Sequence, residues 1–315
     1  MRTAPSVSIG IALFNEEAVL PELLERLGRV IDTLPGSGHQ VVLVDDGSAD
    51  RTWAIIESAA RRDRRFVAIS LSRNFGHQAA LTAVLEHVTG DVAIIMDGDL
   101  QDPPESIPRF LEAHAAGADV VYARRVNRKE GLLLRISYHA FYRLMGSVAS
   151  VQLPMDAGDF GLLSRRVVQE LRRTGEHHRY LRGLRTWVGF RQEGIEVERG
   201  VRFAGDSKYS ASKLFKLAFD GIFAFSIVPL RAAAFLGAVA VGLSTLFSLY
   251  ALYAKLFLNR SPQGFTALIL LITFLSGVHL FFLGVIGEYV GRVYEEVKGR
   301  PIYIVGRMVR DGDGS

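Results

Sequence analysis

Up to about residue 205, apolar residues come in short continuous runs that alternate with amphipathic stretches. Four runs, VSIGIALF (7–14), QVVLVDD (40–46), FVAISLS (66–72) and DVAIIMDGD (91–99), are short, rich in Val and Ile, and read as buried strands. Between them, EEAVLPELLERLGRVIDTL, DRTWAIIESAARR and HQAALTAVLEHV place apolar residues every three to four positions and predict helices. A fifth run, DVVYARR (119–125), follows one more helical stretch. Strands with little polar alternation, each separated by a helix, imply a mostly parallel sheet covered on both faces, an α/β, doubly wound domain over 1–205.

Beyond this the pattern changes. The segment SKLFKLAFDGIFAFS, within 206–230, sets apolar residues around lysines at helical spacing. It reads as juxtamembrane amphipathic helices, lying in a membrane interface or packed on the domain. Residues 232–254 and 261–287 carry no charge. Each offers about 23 apolar-rich residues, or about 34 Å of helix, enough to cross a hydrocarbon core. Two transmembrane helices, 231–258 and 264–290, are therefore expected to form a hairpin around NRSPQG, with a C-terminal tail over 291–315.

Charge orients that hairpin. Lys208, Lys213, Lys216 and Arg231 precede the first span, and Arg292, Lys298, Arg300, Arg307 and Arg310 follow the second. Lys255 and Arg260 alone flank the turn. Basic residues favour the cytoplasmic side, so a multi-pass protein of the cytoplasmic membrane is expected, with both termini and the large domain inside. The net charge of +4 fits an anionic bilayer surface better than nucleic acid, because no arginine-rich arm or RNA-binding motif accompanies it. The first apolar run leads into Asn15-Glu16-Glu17 rather than a cleavage site, which does not suit a signal peptide. With no cysteine in the chain, disulfides and thiolate zinc sites are excluded. Gly287 and Gly291, four apart, could seat another helix and hint at a homo-oligomer.

Ligands of such sheets bind beyond the carboxyl ends of the strands, and those ends are polar here. Asn15-Glu16-Glu17, Asp45-Asp46-Gly47-Ser48, Arg73-Asn74 and Asp97-Gly98-Asp99 follow the first four strands. Ser48 and Asp50 suit helix caps, and Asp46-Gly47 suits a turn. Neither role accounts for two acids closing an apolar strand at Asp97 and Asp99. Dinucleotide, P-loop, nucleophile-elbow and zinc-protease motifs are all missing from the sequence. The carboxylates point instead to a divalent metal.

These pieces occur together in a known order. FNEE (14–17), VDDGSADRT (44–52), SRNFGHQAAL (72–81), MDGDLQDPPE (96–105), AGDFGLLSRR (157–166), YLRGLRTWVGF (180–190) and RFAGDSKYS (202–210) stand ahead of the two apolar spans. The chain resembles family 2 glycosyltransferases of the polyprenyl-phosphate type, the group of dolichyl-phosphate mannose synthases and bacterial undecaprenyl-phosphate glucosyl- and aminoarabinosyl-transferases. The resemblance covers nearly the whole length. It implies a GT-A fold, Mg²⁺ or Mn²⁺, and transfer with inversion from a nucleotide-diphosphate sugar to polyprenyl phosphate. One departure is that Gly161 stands where the family segment Gly-Asp-Phe-Arg carries its arginine.

The resemblance assigns Asp99 to the metal and Asp97 to the metal or the ribose. It places Phe14, Glu16 and Asp46 around the nucleoside, puts Gln101 near the donor, and nominates Asp159 as a base-like carboxylate beside the acceptor. Asp156 shares that ambiguity. A phosphomonoester is largely dianionic at pH 7 and already nucleophilic, so positioning serves as well as proton removal. Its charge calls for cations, and the candidates are Arg124, Arg125 and Arg128, and Arg202 with Ser207, Lys208 and Tyr209. His77 suits a helix cap or a donor contact. Glucose from UDP-glucose is the expected transfer. GDP-mannose, UDP-N-acetylglucosamine and a UDP-aminoarabinose derivative are the other donors, and a non-catalytic membrane scaffold or flipping subunit is the rival class.

Overall fold

The computed structural model describes residues 4–125, 157–177, 179–198, 228–258 and 264–310. The chain divides into two compact units. One contains the N-terminal α/β region together with the segment from Arg300 onward, and the other contains the long apolar helices.

In the first unit, β1 (Val7–Leu13), β2 (Gln40–Asp45), β3 (Phe66–Leu71) and β4 (Val92–Asp97) coincide with the four apolar runs. Helices α1 (Leu20–Thr33), α2 (Thr52–Arg62) and α3 (His77–His87) connect them. Pro21 opens α1, where its missing N–H leaves no helical hydrogen bond unmade. Next come α4 (Ile107–Ala115) and β5 (Val120–Arg125), then β6 (Ala157–Ser164), α5 (Arg165–Arg173), α6 (Leu181–Trp187) and β7 (Gln192–Val197). The last strand is β8 (Val305–Val309).

The sheet order is β7-β5-β6-β4-β1-β2-β3-β8. Neighbours β4–β1, β1–β2, β2–β3 and β5–β7 are parallel. The sheet is thus mostly parallel, as in a GT-A domain, but it has antiparallel insertions. β6 runs antiparallel between β4 and β5, so the fifth apolar run does not touch the fourth. The AGDFGLLS sequence of β6, with its two glycines and an aspartate, carries no clear strand pattern.

Strand periodicity sorts the core into two layers. Ile9, Ile11, Leu43, Ile94 and Met96 pack with Leu20, Leu23 and Leu27 of α1 and Phe110 of α4. Val42, Val44, Ile69 and Ile95 face Leu81 and Val84 of α3 and Val167 and Leu171 of α5. Each such side chain stabilises the fold by about 1.5–3 kcal/mol when fully buried. This places the carboxyl ends of β1, β2 and β4 side by side along one rim.

The expected tail over 291–315 takes a different form. The second long helix continues to Lys298, and β8 then pairs antiparallel with β3. The reason is edge protection, since β3 would otherwise end the sheet with unpaired N–H and C=O groups. Met308 and Val309 also bury apolar surface, one in each core layer.

The second unit consists of α7 (Val228–Leu258) and α8 (Phe265–Lys298). Gly299, at φ 58°, ends α8 in the left-handed conformation. At 31 and 34 residues the helices reach about 46 and 51 Å, longer than a ~30 Å hydrocarbon core. Val228–Ala254 and Phe274–Lys298 are long and apolar enough to cross a membrane, with 0% and 6% of their most apolar windows buried. Core helices of a soluble protein would be buried, so these apolar surfaces indicate membrane association. Of the expected amphipathic region 206–230, residues 228–230 begin α7 and the rest lie outside the described residues.

Candidate active site

The site forms where β4 ends and the antiparallel β6 begins, beside the start of α3. Asp97 is the last residue of β4, in register with Ala12 of β1. His77 is the first residue of α3, following Gly76 at φ 98°. Asp159 lies in β6, antiparallel to β4. The His77 Nε2 is 3.7 Å from Oδ1 of Asp97 and 3.9 Å from Oδ2 of Asp159. Ligand atoms of these three residues lie within 4.8 Å of one another.

Asp159 is held from its other side. The Nε and Nη2 of Arg182 donate to its Oδ1 and Oδ2 at 2.7 and 2.6 Å, a two-pronged pair. Burial works against the Asp159 charge, but the Arg182 guanidinium overrides it and keeps the carboxyl well below its usual range. Burial, followed by the nearby Asp159 charge, pushes Asp97 up to about 6. His77 is also raised: burial lowers it, and the contacts with Asp159 and Asp97 outweigh that.

Asp99 is not one of the three residues whose ligand atoms converge, but its charge is among those that raise Asp97. Extended geometry ends at Asp97, and Leu100 turns back at φ 56°. The strand alternation that would put both acids on one side therefore stops at Asp97. Oδ1 of Asp99 accepts the Gln101 N–H at 3.1 Å and stabilises the turn. Gln101 is half-buried in the same turn.

The expected nucleoside residues occupy the neighbouring strand ends. Phe14 is 41% exposed beyond β1, which rules out a core-packing role. Glu16 is half-buried, and its N–H donates to Thr52 Oγ1 at 3.0 Å. Asp46 is buried, and its oxygens accept the N–H groups of Phe75 and Gly76 at 2.8 and 3.0 Å. It thus fixes the loop that delivers His77. Gly47, at φ 67°, allows the close approach, since a Cβ there would lie 2.5 Å from the Arg73 carbonyl carbon.

Among the acceptor candidates, Arg124 pairs with Glu196 at 2.6 Å, both partly exposed. Arg125 ends β5. Asp156, Arg128, Arg202, Ser207, Lys208 and Tyr209 lie outside the described residues.

Two participants were not picked out from sequence, Arg182 and Arg185 of α6. Their spacing of three on one helix puts them on neighbouring positions of one face, which was the available signal. Arg185 is buried, and its Nη1 donates to the Gly158 carbonyl at 3.0 Å, next to Asp159.

The sequence of residues 8–172 matches the model of glycosyl transferase family 2. The chain belongs to that family. A prophage bactoprenol glucosyl transferase homolog of Escherichia coli is 37% identical over 303 residues, covering 96% of this chain and 99% of that protein. The bactoprenol glucosyl transferase of Shigella phage SfII is 38% identical over 305 residues, covering 96% and 98%. The uncharacterized glycosyltransferase YkcC of Bacillus subtilis is 41% identical over 299 residues, covering 95% and 92%.

For a family 2 transferase the cluster has a suitable donor set for a divalent cation. Carboxylate oxygens suit Mg²⁺, and Mn²⁺ accepts imidazole as well. Burial and then repulsion from the Asp159 charge raise Asp97, and a cation between the carboxylates would relieve that repulsion.

Proposed function

We propose that this transferase moves glucose from UDP-glucose onto a polyprenyl phosphate at the cytoplasmic face of a membrane. The observation that carries this reading is the full-length similarity to bactoprenol glucosyl transferases, which spans both the catalytic unit and the apolar helices. The distribution of basic residues supports two membrane crossings with both ends inside.

Asp97, with Asp159 and His77, would hold Mg²⁺ or Mn²⁺, and Asp99 would add a carboxylate from the adjoining turn. Such an ion would supply positive charge to offset that developing on the departing nucleoside diphosphate. Phe14, Glu16 and Gln101 line the donor pocket. Asp46 contributes through the loop it orders. The acceptor phosphate attacks the anomeric carbon from the face opposite the leaving group, and inversion follows from that single displacement.

Asp159 serves position rather than proton removal. Its pair with Arg182 makes it a weak base, and a dianionic phosphate has no proton that must be taken. Arg124, Arg125 and Arg128, with Arg202, Ser207, Lys208 and Tyr209, are the candidates for holding that phosphate.

The test is incubation of membranes bearing the protein with labelled UDP-glucose, Mg²⁺ and undecaprenyl phosphate, followed by chromatography of the lipid extract. Label is expected in a mild-acid-labile lipid and absent with Asp97→Asn. Label arising from GDP-mannose or UDP-N-acetylglucosamine instead would replace the donor. No lipid product from any donor would sink the reading.

A further inference from the structure

Arg185 carries a charge that its surroundings do not fully use. The residue is 3% exposed, and its Nη1 donates to the Gly158 carbonyl. Among the described residues its Nε and Nη2 are buried and have no hydrogen-bond partner. The guanidinium carbon stands 5.3 Å from the centre of the Tyr122 ring. The neighbouring carboxylate, Asp159, has both oxygens occupied by Arg182. Partly buried Arg182 and buried Arg185 therefore lie near one carboxylate, and Arg182 takes both of its oxygens.

Leaving a buried guanidinium half-paired is costly, and most proteins avoid it. Where the imbalance sits beside a reactive cluster, an incoming anion is the natural partner. A guanidinium with two free N–H directions on one edge matches two oxygens of a phosphate.

Position 161 strengthens the point. Gly161 stands where the family pattern carries an arginine, and it is in register with Tyr122, whose ring Arg185 faces. A Cβ on Gly161 would lie 2.4 Å from the Val121 carbonyl oxygen, so β5 leaves no room for a side chain there. The cationic group over this part of the sheet comes from α6 instead.

We propose that Arg185 is a phosphate-binding residue of the active site, whose Nε and Nη2 take oxygens of a substrate phosphate when the pocket opens locally to admit it. The ligand chemistry is a phosphate dianion or diphosphate, from either the nucleotide donor or the lipid acceptor. This rests on the glycosyl-transfer reading for the identity of those two sources.

The experiment measures binding without turnover. Full-length protein in detergent is titrated separately with uridine diphosphate plus Mn²⁺ and with undecaprenyl phosphate, for wild type, Arg185→Met and Arg185→Lys. Without ligand, Arg185→Met is expected to melt at or above the wild-type temperature, because an incompletely paired buried charge is removed. It is expected to lose at least tenfold in affinity for one probe. Loss confined to uridine diphosphate assigns Arg185 to the donor, and loss confined to the lipid assigns it to the acceptor. Arg185→Lys, which keeps charge but not the fork, is expected to weaken the same probe at least threefold, and it serves if Arg185→Met does not fold. Unchanged affinity for both probes in either variant overturns the proposal, as does a lowered melting temperature in Arg185→Met with binding intact. Arg185-dependent binding in a protein that transfers no glucose would remove the donor assignment alone.

Discussion

The Arg182 guanidinium spans both oxygens of the Asp159 carboxylate, at 2.7 and 2.6 Å. That pair joins α6 to β6 and presents Asp159 to His77 and Asp97 as a permanent anion. Its side chains are 26% and 5% exposed, so the interaction is shielded from solvent.

Breaking it from one side leaves a buried charge alone. Arg182→Ala is expected to destabilise the catalytic unit by about 3–5 kcal/mol. The double variant Arg182→Ala/Asp159→Ala should regain part of that loss, because the paired charges leave together and only the Arg185 charge loses its nearby carboxylate. Thermal denaturation of the three variants in detergent tests the cycle. Equal losses in the single and double variants would contradict it.

Asp97 makes stability and activity respond to pH in opposite senses. A carboxyl raised from 3.8 to about 6 is happier neutral in the folded state. Folding stability is therefore lost as pH rises from 3.8 to about 6, and an ionised ligand for the metal is gained as pH passes about 6. Asp97→Asn is expected to stabilise the metal-free protein at pH 7.5 by up to about 3 kcal/mol and to abolish transfer. Melting curves with chelator at pH 5 and 7.5 should show the variant's advantage growing with pH.

Asp46 holds two backbone N–H groups of the loop before His77. Asp46→Ala leaves both unpaired, at a cost of about 1–3 kcal/mol per buried group. The looser loop is expected to raise the KM for the nucleotide sugar more than it lowers kcat. Initial-rate kinetics separates the two effects.

The strand β8 protects the β3 edge. Ile304, just before it, also accepts the Ser72 N–H at 2.9 Å, at the start of the same loop. Truncation after Gly299 is expected to lower the melting temperature and reduce transfer while leaving membrane extraction behaviour unchanged. Adding a peptide of residues 300–310 should restore part of the activity. Full activity without those residues would show that the strand has no part in the site.

Much of the architecture was legible because burial writes itself into local pattern. The runs at 7–14, 40–46, 66–72 and 91–99 are buried strands, and Leu20, Leu23, Leu27 and Val30 mark the inner face of α1. The strands β6, β7 and β8 escaped, since Gly158, Gly161, Gly194 and Gly306 dilute their apolar signal and each pairs with a partner distant in sequence. In the site, the motif at 96–99 marked Asp97 and Asp99, whereas the turn that begins after Asp97 and the convergence of Asp97 with His77 and Asp159 depend on the fold.

By itself, the sequence determined what is local: which segments form helices and strands, which two stretches suit a bilayer, and which polar residues gather at strand ends. Tertiary structure decided what depends on partners far along the chain. It brought His77, Asp97 and Asp159 to one point and gave Asp159 to Arg182. Among the described residues, it left Arg185 buried with unused donors. The physical reason is range. Propensity and periodicity act over a few residues, whereas ion pairing and desolvation act across a few ångströms between residues that only folding makes neighbours.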